Sequence, residues 1–166
     1  FVIKALCELD RIRSLMDAFT PARTLWVVRD WRDSANSAIR SFPNFVPQWH
    51  RLANGDAHDW RGRGMSPAIR ELLAALYRPD ASEAEGAAIM WFYRNALFFE
   101  QLLAADPRVR VVFYENLVQR PQREIARRNV LHDDAETVDI KHLRKGQAFV
   151  LHLLVDAVKI LLATGD

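Results

Sequence analysis

The 166 residues, about one domain's worth of chain, are 50% hydrophobic and 27% charged, which excludes intrinsic disorder and leaves enough apolar side chains for a buried core. With 23 basic against 21 acidic residues the formal net charge is +2, so overall charge implies no nucleic-acid partner. A single cysteine, Cys7, excludes an intrachain disulfide and a cysteine-based metal cluster, and His50, His58, His132, His142 and His152 form no HExxH or similar ligand pattern.

The opening FVIK reads as a strand, and Leu6, Leu9, Ile12, Met16 and Phe19 recur at helical spacing, predicting a helix that leads into the next strand. The run Leu25, Trp26, Val27, Val28 is short, apolar and rich in β-branched and aromatic residues. It predicts a strand buried on both faces, as in a parallel sheet. Arg29 then stands at the carboxyl end of that strand. Asp33 is the expected N-cap of the following helix, which places Ser37 in its first turn. In open α/β sheets ligands gather at strand carboxyl ends, and a helix N-terminus favours an anion there. A guanidinium fork and a hydroxyl converging on that crevice suit a phosphate; the alternative is that Arg29 pairs with Asp30 or Asp33 and Ser37 faces solvent.

Residues 43–67 are expected to form an irregular loop or lid, with Pro47, Gly55, Gly62, Gly64 and Pro67 marking turns. Ser66 and Pro67 make an N-cap and first-position pair for the helix PAIRELLAALYR. The stretch EAEGAAIMWFYRNALFFEQLLAAD is apolar nearly all round and predicts a helix buried against the sheet. Val109 to Tyr114 reads as a second buried strand, followed by a loop, a helix start near Pro121 and a basic stretch. Its Arg120, Arg123, Arg127 and Arg128 read as a solvated helix face. In residues 147–163 the apolar run is interrupted by His152, Asp156 and Lys159, which share one helical stripe. That pattern predicts an amphipathic packing helix and no membrane span, and its apolar face would suit a protein partner if its own core were absent. Strands alternating with helices predict an α/β domain over residues 1–166, a parallel sheet flanked by helices.

Two segments, VVRDWRDSANS and FYENLVQRP, taken together and in this order, resemble the sulfotransferase family, whose members use 3'-phosphoadenosine 5'-phosphosulfate (PAPS) as sulfuryl donor. In element order the resemblance runs from Val2 to Arg128. It implies a nucleotide-binding fold of P-loop type, PAPS as co-substrate without a metal, and a hydroxyl or amine of a small molecule or glycan as acceptor. It also implies that Arg29 and Ser37 bind the 3'-phosphate and that Tyr114 contacts the adenine. Arg144, Lys145 and Gly146 match the Arg-Lys-Gly with which the family closes its donor site, although the Gly-Asp-Trp that follows it there is not found here.

The sequence departs from the family in two further places. No glycine precedes Gly55 and no GxxxxGK occurs, so the loop that holds the 5'-phosphosulfate is not in this sequence. With Phe1 as the first residue, the domain is expected to be N-terminally truncated. Where many members carry Lys-Thr-His, this chain has Lys4, Ala5 and Leu6; only Lys4 carries over as a catalytic candidate, and a leucine cannot act as a general base. Glu8 and Asp10 are carboxylates that could replace it, with a solvated helix face as their default role. Trp49, Trp60 and Trp91 suit either an acceptor pocket or the core. No targeting segment is visible, and the cytoplasm is the expected compartment. The sulfuryl transfer is expected of the intact protein and not of this chain alone; the alternative is a non-catalytic remnant that binds adenosine 3',5'-bisphosphate or acts through protein contacts.

Overall fold

The structure, a computed structural model, describes Lys4 and residues 9–56 and 58–124. It is α/β and mostly helical, with β1 (Thr24–Val28) and β2 (Val109–Phe113) paired as a two-stranded parallel sheet. Pairing begins where the Thr24 N–H donates to the Arg108 carbonyl at 2.9 Å. The chain divides into two compact units, with the boundary inside β2 between Val111 and Val112.

In the first unit, a 3₁₀ turn at Leu9–Arg11 leads into α1 (Ile12–Ala18). FVIK, apart from Lys4, and the start of the helix expected from Leu6 lie outside the described residues. Ile12 and Met16, one turn apart on α1, close over Trp26 of β1 together with Phe98 and Leu103, and Val28, Val109 and Val111 pack against the same cluster. Burial along β1 alternates. Trp26 is 7% exposed, whereas Leu25 is 41% and Val27 50% exposed. The expectation of a strand buried on both faces is therefore corrected: burial on both faces needs a layer on each side, and the described core gathers on the Trp26 side alone. Val28 and Val111 are half-buried, and Val112 is buried.

Helices α2 (Trp31–Ser41) and α3 (Phe45–Ala53) both pack on α5 (Glu83–Glu100), and α4 (Pro67–Leu76) packs on α3. The stretch 43–67, expected to be irregular, thus contains a helix whose Phe45, Trp49 and Leu52 recur every three to four residues and are buried. Ser66 caps α4 through the Ile69 N–H at 3.3 Å, with Pro67 in the first position, as the sequence predicts. Ser82 and Glu85 form a reciprocal capping box at the start of α5, which is buried nearly all round from Gly86 to Phe98.

The α3–α5 junction shows what a single glycine permits. Asn44, at a φ of 73°, gives α3 no side-chain cap. The carboxylate of Glu83 reaches across from α5 instead, accepting the Phe45 N–H at 2.7 Å and the Val46 N–H at 3.4 Å. One turn on, a Cβ at Gly86 would stand 2.9 Å from the carbonyl carbon and Cβ of Phe45 and from the Val46 nitrogen. Alanine at an ordinary helix position gains about 1 kcal/mol over glycine. Here the obstacle is mostly backbone, and overpacking of that kind costs about 1 to 3 kcal/mol. Gly86→Ala is thus expected to destabilise by about 1 kcal/mol net, read as a lower denaturant midpoint; an increase would show that α3 moves aside without cost.

In the second unit, α6 (Tyr114–Gln119) follows β2 directly, so Tyr114, expected to end the strand, opens a helix, and that helix stands where a loop was expected. Residues 147–163, the expected amphipathic helix, lie outside the described residues. Among the described residues no helix is long and apolar enough to cross a membrane.

Candidate functional site

The β1–α2 junction is built from a strand that ends at Val28 and a helix that begins only three residues later. Arg29, immediately beyond the strand, is half-buried, with its Nε shut off from solvent. Its carbonyl accepts a hydrogen bond from the indole Nε1 of Trp91 on α5 at 3.0 Å. One turn along α5, the Asn95 amide donates to the Trp91 carbonyl at 2.8 Å and accepts from the Trp26 indole Nε1 at 3.3 Å. Helix α5 therefore grips β1 at Trp26 and again at its exit, and the backbone position of Arg29 is fixed from both sides.

The N-cap of α2 is Asp30, not Asp33. Its carboxylate accepts the Arg32 N–H at 2.9 Å and pairs with the Arg32 guanidinium through Nε at 3.1 Å and Nη2 at 2.8 Å. The hydrogen bond from the Arg32 side chain is the main reason that the Asp30 carboxyl lies below its ordinary range. Asp33 occupies the first turn, where a negative charge favours the helix dipole. The early start displaces Ser37 from the expected first turn. It is exposed, and lies seven residues beyond the N-cap, hence on the same side of the helix as Asp30 and two turns on. The anion at this helix N-terminus is thus Asp30's own carboxylate.

The remaining sequence candidates are distributed as follows. Tyr114 is 40% exposed at the start of α6, directly beyond the carboxyl end of β2. Lys4 is exposed. Glu8, Arg144, Lys145 and Gly146 lie outside the described residues. Asp10 does not sit on a solvated face: its side chain is 11% exposed, with Arg11 and Arg63 within ion-pair distance. Trp49 belongs to the core, its Nε1 donating to the Leu73 carbonyl at 2.8 Å. His50 is exposed beside Tyr77. Among the described residues no group of three or more His, Cys, Asp or Glu is placed to hold a metal. Trp91, expected to line an acceptor pocket or the core, instead bonds the Arg29 carbonyl, and Asn95 was not singled out by sequence reasoning; the available signal for it was an asparagine within a helix apolar on nearly every face.

Two buried carboxylates tie the first unit together. Asp106 accepts the Arg108 backbone N–H at 2.9 Å and pairs with the Arg108 guanidinium at 2.8 Å and with Arg13 at 3.4 Å. Asp59 pairs with Arg51 and with Arg61, each at 3.1 Å. The Arg108 side-chain bond holds Asp106 below its ordinary value. Burial alone would raise Asp59, but the Arg61 N–H and the two guanidinium groups outweigh it and the net direction is down. Glu85 is lowered mainly by the Ser82 N–H. A carboxyl whose value is lower folded than unfolded stabilises fully above the unfolded value, and that contribution is lost as pH falls through the folded value. The melting temperature is therefore expected to be level near neutrality and to fall below about pH 5, where ordinary carboxyls begin to protonate. Asp106→Asn should flatten that fall; an unchanged profile would show that Asp106 contributes nothing to it.

No family model, curated protein or solved structure matches the chain.

Proposed function

We propose that this chain is a sulfotransferase-like domain of P-loop type whose β1–α2 junction binds the 3'-phosphate of an adenine nucleotide, with Arg29 and Ser37 as the contacting side chains. The observation that carries the reading is the placement of Arg29: it directly follows a strand of a parallel sheet, and its backbone is held by Trp91. A guanidinium with a fixed root presents its donors to a phosphate at little entropic cost. The neighbouring Asp30 would repel an anion, but its charge is already paired with Arg32. For Tyr114, exposed at the start of α6, an adenine contact is what the FYENLVQRP resemblance alone implies.

In the intact protein the reaction would be transfer of a sulfuryl group from PAPS. The acceptor hydroxyl or amine attacks sulfur in line, the bond to adenosine 3',5'-bisphosphate breaks, and fixed cations stabilise the transferring oxygens. The sequence 1–166 carries the Arg-Ser and Tyr-Glu segments but no GxxxxGK. Nucleotide binding is accordingly the part of the reaction assigned to this chain.

The test is calorimetry at high protein concentration. Adenosine 3',5'-bisphosphate is expected to bind more tightly than adenosine 5'-monophosphate, because only the former presents the 3'-phosphate. Ser37→Ala should weaken the bisphosphate alone, by about 0.5 to 1.5 kcal/mol, the worth of one neutral hydrogen bond. Equal affinities for the two nucleotides would overturn the proposal.

A further inference from the structure

A concave feature lies away from the β1–α2 junction, where the 3₁₀ turns Leu9–Arg11 and Trp60–Gly62 meet α5. Met90, Tyr93, Arg94 and Leu97 face it from α5, at a spacing that defines one side of that helix. Trp91, Asn95 and Phe98, which serve β1 and Arg29, occupy another side, roughly a third of a turn away. The crevice holds ≈ 20 Å³. That is room for one small polar group and not for a nucleotide.

Among the described residues its lining combines the guanidinium groups of Arg61, Arg63 and Arg94 with the carboxylate of Asp10 and with the apolar Leu9 and Trp60. Arg61 stacks over the Trp60 ring at 4.5 Å, while its Nη1 donates to Asp59, so its plane is fixed before any ligand arrives. Arg63 donates through Nε to the Trp60 carbonyl at 3.2 Å and stands 3.9 Å from Asp10. Its terminal nitrogens form no hydrogen bond among the described residues. The backbone beneath these cations is also fixed. The buried Tyr93 hydroxyl donates to the Arg61 carbonyl at 2.5 Å, with the Arg63 carbonyl 3.2 Å away, and burial pushes its phenol far above the ordinary value, so it remains a donor. Gly64, at a φ of 74°, lets the loop come so close that a Cβ there would lie 2.9 Å from the Asp10 Cβ.

We propose that this crevice binds the carboxylate of a small aromatic acid. The carboxylate enters between Arg61 and Arg63, whose planar donors match its geometry, and the ring lies at the mouth against Trp60 and Leu9. The inference is independent of the nucleotide reading, because it uses a different side of α5.

Benzoate is the probe, titrated into ¹⁵N-labelled protein at constant ionic strength, with benzyl alcohol and acetate as the neutral and ring-free comparisons. The amides of Arg63 and Gly64 are expected to shift and saturate with benzoate, more weakly with acetate, and not with benzyl alcohol. Arg63→Ala, at a side chain 42% exposed, should weaken benzoate binding about tenfold or more with the melting temperature recorded beside it, and Arg63→Lys, which keeps the charge without the fork, should weaken it less. Equal binding of benzoate and benzyl alcohol, an affinity unchanged by Arg63→Ala, or displacement of benzoate by adenosine 3',5'-bisphosphate would each overturn the proposal; the last would move benzoate to the β1–α2 junction.

Discussion

Replacing Trp26 with alanine lowers the free energy of unfolding by about 3 to 5 kcal/mol, a large fraction of the total stability of a domain of this size. Trp26 is 7% exposed and is the one fully buried side chain of β1, with Val28 packed in part against the same cluster. Its ring lies 5.3 Å from that of Phe98, and Ile12, Met16 and Leu103 complete the cluster around it. Truncation removes the largest member of that cluster and leaves a cavity that the surrounding helices fill only in part. It also leaves the Asn95 carbonyl without its indole donor, which alone costs about 1 kcal/mol. Trp26→Phe separates the two effects: it keeps most of the buried ring and loses the hydrogen bond, so about 1 to 2 kcal/mol is expected. Denaturant midpoints measure both, and a loss under 1 kcal/mol for the alanine variant would mean that β1 is not anchored through this residue.

Replacing Arg29 with alanine is the second large effect, and it falls on binding. If the guanidinium takes the 3'-phosphate, its removal deletes a charge-assisted and bidentate contact, about 1.5 to 3 kcal/mol or roughly ten- to a hundredfold in affinity for adenosine 3',5'-bisphosphate. Arg29→Lys keeps the charge without the fork and should fall between the wild type and alanine. Because Nε is shut off from solvent and the carbonyl is bonded to Trp91, the melting temperature must be recorded beside each affinity. A fall in affinity with the melting temperature preserved assigns the residue to the ligand. An unchanged affinity would show that VVRDWRDSANS has kept its sequence without a phosphate site.

The sequence disclosed elements whose causes are local. Ser66 and Pro67 at the head of α4, the long apolar helix from Glu83 and the strands at Thr24 and Val109 follow from side chains acting on their own neighbourhood. The choice between Asp30 and Asp33 as cap was less legible, because both aspartates precede good helix formers; it is decided by the Arg32 pair, which engages Asp30 both through a backbone N–H and through the guanidinium. The open face of β1 was illegible for a different reason. Leu25 and Val27 are as apolar as residues buried on both sides of a sheet, and only the placement of the covering layers separates the two cases. The Trp91 bond to Arg29 and the Glu83 cap on α3 join residues 62 and 38 positions apart, which no local pattern encodes. Of the candidate site, the identity and order of Arg29, Ser37 and Tyr114 could be read in advance, whereas the support beneath Arg29 could not.

Asn95 has a consequence for how this sequence can drift. Its amide serves two masters, accepting from the Trp26 indole and donating to the Trp91 carbonyl, and it is 9% exposed. A leucine at 95 would strand the Trp26 N–H, and a phenylalanine at 26 would strand the Asn95 carbonyl, so either change alone leaves a buried polar atom unmatched, whereas the double change leaves none at that contact. Positions 26 and 95, separated by most of the folded unit in sequence, are therefore expected to vary as a pair: tryptophan with a hydrogen-bond acceptor, or two apolar residues together. Lineages that cross from one state to the other pass through an intermediate weakened at the very place where β1 meets α5.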